Sequence, residues 1–300
     1  MSGASEEIAQ TTPPPTRIGP TTFRWGERTY IVGILNITPD SFSGDGLLAG
    51  GSDPVAAALD LGRRMAAEGA DLLDVGGEST RPGHTEVSAD EELRRVVPVV
   101  IALHAALPDM PLSIDTTKAE VAAAALDAGA HLVNDVWGVG SDESLARLAA
   151  RRGAPMVVMH NRAEAVYQDL IPELIADLGA ALDRALRLGV PRESLIVDPG
   201  FGFGKTPEQN LALVRDMAAL RILGRPILLG TSRKSTLGRV LELPVTERLE
   251  ATLATTALGI AAGADLVRVH DVRANVRAAR ISDAIIRANW RSDAAQGGPS

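Results

Sequence analysis

The feature that most constrains this chain is a repeated unit. A short apolar run rich in β-forming residues gives way to a polar or glycine-rich loop. An Ala/Leu-rich amphipathic segment follows, and glycine commonly closes it. Ile31–Leu35 precedes a predicted helix over 53–68 closed by Gly69. Leu72–Val75 precedes one over 89–106, with Ser88 as its cap and Glu91 three residues on. Leu112–Ile114 precedes 118–127, His131–Val133 precedes 142–151, and Met156–Met159 precedes 170–188. Leu195–Val197 precedes 207–220. Ile227–Leu229 precedes a loop over 230–238 and a helix over 246–261, and Leu266–Val269 precedes 272–288. The strands are continuous apolar runs rather than alternations, as expected when both faces of a parallel sheet are covered. Eight such units in one body predict an α/β fold of the (β/α)8 TIM-barrel type in preference to an open doubly wound sheet.

Composition sets the limits. The 300 residues suffice for a barrel, and with only 3% aromatics the core must be built from Ala, Val, Leu and Ile. A formal charge of -8 argues against broad nucleic-acid binding but leaves room for a local cationic pocket. There is no cysteine, which excludes disulfides and thiolate chemistry and fits a reducing cytoplasm. The N-terminus has no basic region followed by an apolar run, and no window approaches a membrane span, so neither a secretory signal nor membrane insertion is expected. Residues 1–20, with Pro13–Pro15, read as a disordered leader, 21–290 as a single barrel domain, and 291–300 as a disordered tail. Thr22–Tyr30 reads as a short β-hairpin turning at Gly26, placed to cover the barrel bottom.

The unusual side chains fall where strands end. These are Asn36; Asp74 with Glu78, Ser79, Thr80 and Arg81; Asp115; Asn134 and Asp135; His160; Asp198 with Lys205; Ser232, Arg233, Lys234 and Ser235; and Arg268 with His270. One aspartate after a strand is commonly a helix cap, and one Arg or His commonly tethers a loop. Eight coincident positions make that explanation poor for the set, because in a barrel they converge on one mouth. The loop Gly76–Gly83 brings hydroxyls and a guanidinium suited to phosphate. Pro199–Lys205 alternates glycine with phenylalanine, which allows close backbone approach and a cover for a flat ring. Buried aspartates there suit ring N–H groups and an exocyclic amine. His160 and His270 fall short of a zinc site, whereas Asn36 with phosphate oxygens suits Mg²⁺.

Several segments, in order, resemble the dihydropteroate synthases of the pterin-binding superfamily. They are Gly33-Ile-Leu-Asn36-Ile-Thr-Pro-Asp40-Ser-Phe42-Ser, Asp74-Val-Gly-Gly-Glu-Ser-Thr-Arg-Pro-Gly83, Ser113-Ile-Asp115-Thr, Asn134-Asp135-Val, Asp198-Pro-Gly-Phe-Gly-Phe-Gly-Lys205, Gly230-Thr-Ser-Arg-Lys-Ser235 and Arg268-Val-His270-Asp. The resemblance covers about residues 30–288. It implies an enzyme that joins 4-aminobenzoate to 6-hydroxymethyl-7,8-dihydropterin diphosphate. It implies that Asp115, Asn134, Asp198 and Lys234 hold the pterin, and that Asn36, Arg268 and His270 hold the diphosphate with Mg²⁺ beside Asn36. It implies further that Thr80, Arg81, Phe203, Lys234 and Ser235 frame the aminobenzoate pocket. Asp115, Lys234, Arg268 and Asn36 would serve catalysis, the loops near Asp40–Gly46 and Ser79–Gly83 would close over the site, and the protein would be a homodimer, either through the last helices or with their Ile281, Ile285 and Ile286 packed on the barrel instead.

Two segments depart from the family pattern. The first loop reads Ser41-Phe42-Ser43-Gly44-Asp45-Gly46-Leu47, one residue longer than Ser-Phe-Ser-Asp-Gly-Gly. After the fifth barrel strand the chain has Met159-His160-Asn161-Arg162-Ala163 where the family often has Met-His-Met-x-Gly. Two rival readings stand beside the synthase. One is a weak or inactive pterin-binding paralogue, motivated by the altered first loop. The other is a methyltetrahydrofolate–corrinoid methyltransferase, which would not need the Ser-Thr-Arg-Pro loop or the Ser232–Ser235 segment.

Overall fold

The computed structural model describes residues 12–38, 53–78, 87–140 and 142–288. A hairpin of β1 (Thr16–Ile18) and β2 (Thr21–Phe23) leads into eight parallel strands: β3 (Tyr30–Asn36), β4 (Leu72–Gly76), β5 (Leu112–Asp115), β6 (Leu132–Asp135), β7 (Met156–Met159), β8 (Leu195–Asp198), β9 (Leu228–Leu229) and β10 (Leu266–Val269). The helices among the described residues are α1 (Pro54–Glu68), α2 (Ala89–Ala106), α3 (Ala119–Asp127), α4 (Ser144–Arg152), α5 (Leu170–Arg187), α6 (Pro207–Asp216), α7 (Ser235–Leu241), α8 (Leu249–Ala261) and α9 (Val272–Ile286). Strands β3 to β8 pair in sequence order, β10 lies between β3 and β9, and a bridge between Val197 and Ile227 brings the ends of the sheet together. The expected barrel is present.

Alternation along the strands decides what fills it. One side chain of each pair faces the helices: Leu73, Val75, Ile114, Val133, Val158, Val197 and Val267 join the larger core there. The other faces inward, where Val32, Leu72, Leu132, Val157, Ile196, Leu228 and Leu266 form a separate apolar layer. Two residues further along, the inward file turns polar: Asp74 above Leu72, Asn134 above Leu132, Asp198 above Ile196, Arg268 above Leu266. The strand period of two thus stacks chemistry on packing in one column.

The bottom of that column is closed by Ile18, Phe23, Trp25 and Tyr30, which belong to the same inner cluster. Phe23 and Tyr30 rings lie 4.6 Å apart, and the Trp25 indole donates to Thr16 Oγ1 at 3.0 Å. The hairpin sits where expected, but it is formed by earlier residues than Thr22–Tyr30. It turns at Gly19-Pro20, with Gly19 at φ 55, while Gly26 lies in the following loop. The leader boundary at residue 20 is corrected accordingly, since Thr16–Ile18 is a paired strand. Residues 1–11 of that leader, and the tail 291–300, lie outside the described residues.

Two further differences concern helices. The segment expected as a loop over 230–238 contains α7, a short helix that runs through Gly238 and stops at Glu242 in a left-handed conformation. The helix expected over 207–220 ends at Asp216 and continues as a tighter 3-10 turn over Met217–Leu223. Caps behave as read: Ser88 Oγ accepts from Glu91 N at 3.3 Å.

Candidate active site

At the polar level of the column, strand register sets Asn36 beside Gly76, Gly76 beside Asp115, and Asp115 beside Asn134. Arg268 reaches in from β10. Its Nε donates to Asp74 Oδ2 at 2.6 Å and its Nη2 to Asp115 Oδ2 at 2.7 Å, while Asn134 Nδ2 donates to Asp74 Oδ2 at 3.0 Å. Two buried carboxylates therefore share one guanidinium. Each keeps an oxygen, Asp74 Oδ1 and Asp115 Oδ1, that is buried with no partner among the described residues. Such acceptors cost free energy until a ligand donor meets them. Burial pushes the Asp115 carboxyl up to about 7, against the pull of Arg268 and with the push of Asp74 and Glu92. The Arg268 guanidinium, although desolvated, is held above its usual range by these carboxylates.

Asp198 closes the opposite side. Its Oδ1 accepts from Gly200 N at 2.7 Å, and burial raises its carboxyl against the opposing Lys234 charge. A Cβ on Gly230 would stand 3.7 Å from Arg268 Cβ and 4.0 Å from Asp198 Oδ2, so this glycine keeps the space between them open. Lys234 donates to the Phe201 carbonyl, and its Nζ lies 4.4 Å from the Phe203 ring centroid. Burial pushes Lys234 down to about 8, with Asp198 working against it. Gly202, at φ 83, is required here because a Cβ would lie 2.8 Å from Lys234 Cδ.

On the rim, His270 N donates to Ser232 Oγ at 3.1 Å, and the same hydroxyl meets His270 Nδ1 at 2.9 Å. Arg233, at φ 56, is fixed by Asp271 at 2.6 Å, which orients the turn carrying Lys234. Ser235 opens α7 and is exposed. Thr80 and Arg81, and the loops Asp40–Gly46 and Ser79–Gly83, lie outside the described residues.

The structure thus gathers Asn36, Asp115, Asn134, Asp198, Phe203, Lys234, Arg268 and His270 at one end of the barrel, as expected. Three strand-end residues do other work. Asp74 lies inside β4, not after it, as the second carboxylate on Arg268. Asp135 accepts from Trp137 N at 3.0 Å and holds a turn. His160 is a strut: Lys205 Nζ donates to its Nδ1 at 3.0 Å, and its Nε2 meets Asp177 Oδ2 at 3.1 Å. Burial, then the Lys205 charge, pushes His160 to about 4, so it stays neutral.

Sequence reasoning missed the clasp to which this strut belongs. Lys205 Nζ also donates to the carbonyls of Gly200 at 3.1 Å and Phe203 at 3.0 Å. Arg162 pairs with Asp177 and Glu173, both at 2.7 Å, and its guanidinium lies 4.4 Å from the Tyr167 ring centroid. The Tyr167 hydroxyl donates to Gly204 O at 2.8 Å. Gly204, at φ 52, is needed because a Cβ would fall 2.3 Å from the Arg162 carbonyl. The loop after β7 therefore grips the loop that carries Phe203. The one available signal was the segment itself, where Asn161 and Ala163, on either side of Arg162, depart from Met-His-Met-x-Gly.

A parallel barrel whose mouth pairs acidic and amide groups with fixed cations has the usual place and make-up of an enzyme site, and the family model described as "Pterin binding enzyme" matches residues 32–270, which sets the class. A dihydropteroate synthase of Clostridium beijerinckii is 50% identical over 272 residues, covering 90% of this chain and 99% of that protein. One of Bacillus subtilis is 46% identical over 267 residues, covering 89% and 92%. A crystal structure of dihydropteroate synthase from Clostridium difficile, in the presence of pteroic acid, superposes with a TM-score of 0.84 at 48% identity, covering 88% and 99%. That of Xanthomonas albilineans with 4-aminobenzoic acid gives 0.85 at 40%, covering 91% and 98%. The chain belongs to the dihydropteroate synthase family.

Proposed function

We propose that this chain condenses 6-hydroxymethyl-7,8-dihydropterin diphosphate with 4-aminobenzoate, giving 7,8-dihydropteroate and diphosphate. The observation that carries the reading is the pair of unpartnered carboxylate oxygens, Asp74 Oδ1 and Asp115 Oδ1, in a mouth flanked by Asp198, Asn134 and Lys234. A flat heterocycle edged with N–H donors answers those acceptors. Asp198 faces the exocyclic amine and adjacent ring N–H, Lys234 the ring oxygen and nitrogen, and Asp115 and Asn134 the opposite edge.

Arg268, His270 and Asn36 receive the diphosphate. The bond between the methylene carbon and the diphosphate oxygen breaks first, its electron pair leaving with the diphosphate. The cation left on the methylene is delocalised over the dihydropterin and faces Asp115. The arylamine lone pair then forms the new C–N bond and the nitrogen sheds a proton. No strong base is required, so the protein's contribution is positioning and fixed electrostatics. Thr80, Arg81, Phe203, Lys234 and Ser235 form the aminobenzoate pocket, with loop closure excluding water.

Mg²⁺ fits beside Asn36 as an ion carried in with the diphosphate. Asn36 Oδ1 lies 3.7 Å from where a Gly76 Cβ would stand, next to Asp115, and no group of three His, Cys, Asp or Glu able to hold a metal occurs among the described residues. Substrate oxygens and water would complete its shell, and when bound it neutralises leaving-group charge.

The protein acts in the cytoplasm as a homodimer. Among the described residues no helix is long and apolar enough to cross a membrane. Leu258 on α8 and Ile281, Ile285 and Ile286 on α9 are all more than half exposed, so they do not pack on the barrel and are left for a second copy. Sedimentation equilibrium should give twice the monomer mass, and Ile285→Glu should halve it.

The direct test incubates purified protein with both substrates and Mg²⁺ and weighs the product. Dihydropteroate is expected. Pterin binding without product would replace the synthase reading with that of a binding paralogue.

A further inference from the structure

A second cationic cleft lies at the other end of the barrel, away from Arg268. Thr12, Gly26, Arg221, Arg225, Asp265 and Arg287 line it. It is framed by Ile227, which enters β9, and Asp265, which enters β10. We propose that this cleft binds a small phosphate-bearing anion.

Arg225 forms the floor. It is 6% exposed, and its one hydrogen bond among the described residues runs from Nη1 to the Arg192 carbonyl. Arg221 stands on the rim, its Nη1 3.1 Å from where a Gly263 Cβ would lie. Arg192 approaches from the other side, its Nη2 3.8 Å from the corresponding point on Gly224. None of these three guanidiniums has a carboxylate within ion-pair distance among the described residues. A buried cation without a counter-charge is costly, and a site that keeps one is built for an anion. Arg225 feels this cost: desolvation, then the Arg192 charge, lowers its proton affinity, and Glu193 only partly offsets them.

Asp265, the acid in the lining, is held by backbone amides and set against the Arg287 and Arg221 charges. Asp265 Oδ2 accepts from Ile227 N at 3.1 Å, and its carboxylate also takes the Gly26 amide. Asp283 holds the Thr29 amide at 2.7 Å and Arg287 at 2.8 Å, and Arg287 spends its other donors on the Gly26 and Ala264 carbonyls. Arg221 and Arg225 therefore line the cleft with donors to spare among the described residues, and Arg192 stands beside it at Gly224. A tetrahedral oxyanion offers an acceptor edge to each, whereas a planar carboxylate satisfies one fork. In a chain of net charge -8 this is a local reversal of sign.

Calorimetric titration with inorganic phosphate at constant ionic strength, paired with melting curves, reads the site. Wild-type protein should bind phosphate and melt at higher temperature with it than with chloride. Arg225→Gln and Arg221→Gln should each weaken this binding at least about tenfold. Without phosphate, Arg225→Gln should melt no lower than wild type, because it removes an uncompensated charge. Phosphate bound at the active-site mouth would survive both substitutions, so undiminished binding in both variants overturns the proposal. Equal binding of acetate overturns the ligand class. Should Arg225→Gln fail to fold, the exposed Arg221→Gln decides alone.

Discussion

At the scale of single residues, Arg268 governs the site. Without it, Asp74 and Asp115 would face each other as buried anions, a loss of several kcal/mol. With it, one carboxylate is paired in excess, and the cost appears on Asp115, which burial holds at about 7. A carboxyl raised in the folded state contributes stability present below its ordinary value near 3.8 and lost as pH climbs through about 7. Asp115→Asn removes that liability while leaving the Asp74–Arg268 pair. At pH 8 the variant should melt at or above the wild-type temperature, and at pH 5 the advantage should vanish. Its kcat should nevertheless fall about 10²–10³-fold, because the charge facing the developing cation is gone. A variant that melts well below wild type at pH 8 would show Asp115 to be a structural partner of Arg268 first. Asp115, Asn134, Asp198 and Lys234 were legible in sequence because each follows an apolar run. Asp74 was harder to place, since it falls inside the expected strand Leu72–Val75 and only a partner strand's register shows which neighbours it meets.

At the scale of elements, two loops act as one unit. The segment after β7 and the segment after β8 are joined through Lys205, His160, Arg162 and Tyr167, and the joint holds the Phe203 backbone. Burial keeps Lys205 down at about 7, yet its three acceptors hold it in place. Lys205→Met should release Phe203 and raise KM for 4-aminobenzoate by roughly 10- to 100-fold, with the pterin substrate much less affected. An equal rise for both substrates would point to general loosening of the mouth instead. None of this clasp follows periodicity: its side chains join positions up to 45 residues apart. Helix α7 was invisible for a related reason. Its seven residues include Gly238, and it is held by tertiary contacts, Arg248 donating to the carbonyls of Arg233 and Leu243.

At the scale of the whole molecule, packing and chemistry occupy opposite ends of one barrel. Trp25 and Phe23 seal the lower end, so Trp25→Ala should cost about 3–5 kcal/mol of stability while kcat per folded molecule stays unchanged. Activity lost in step with tryptophan removal under native conditions would show the two ends to be coupled. The barrel was legible from eight repeats because both layers of its strands are apolar for much of their length. The hairpin is hard to place from sequence because two three-residue strands carry no period, while the aromatic residues of 23–30 have a strand-like composition further along. The alternating column has a consequence for how such a chain can change over generations. Adding or deleting one residue inside a strand would swap its faces, sending an aspartate or arginine into the apolar shell and a valine into the mouth. Insertions are survivable only in the connections. A connection such as the one between β3 and α1 can lengthen and leave every strand in phase.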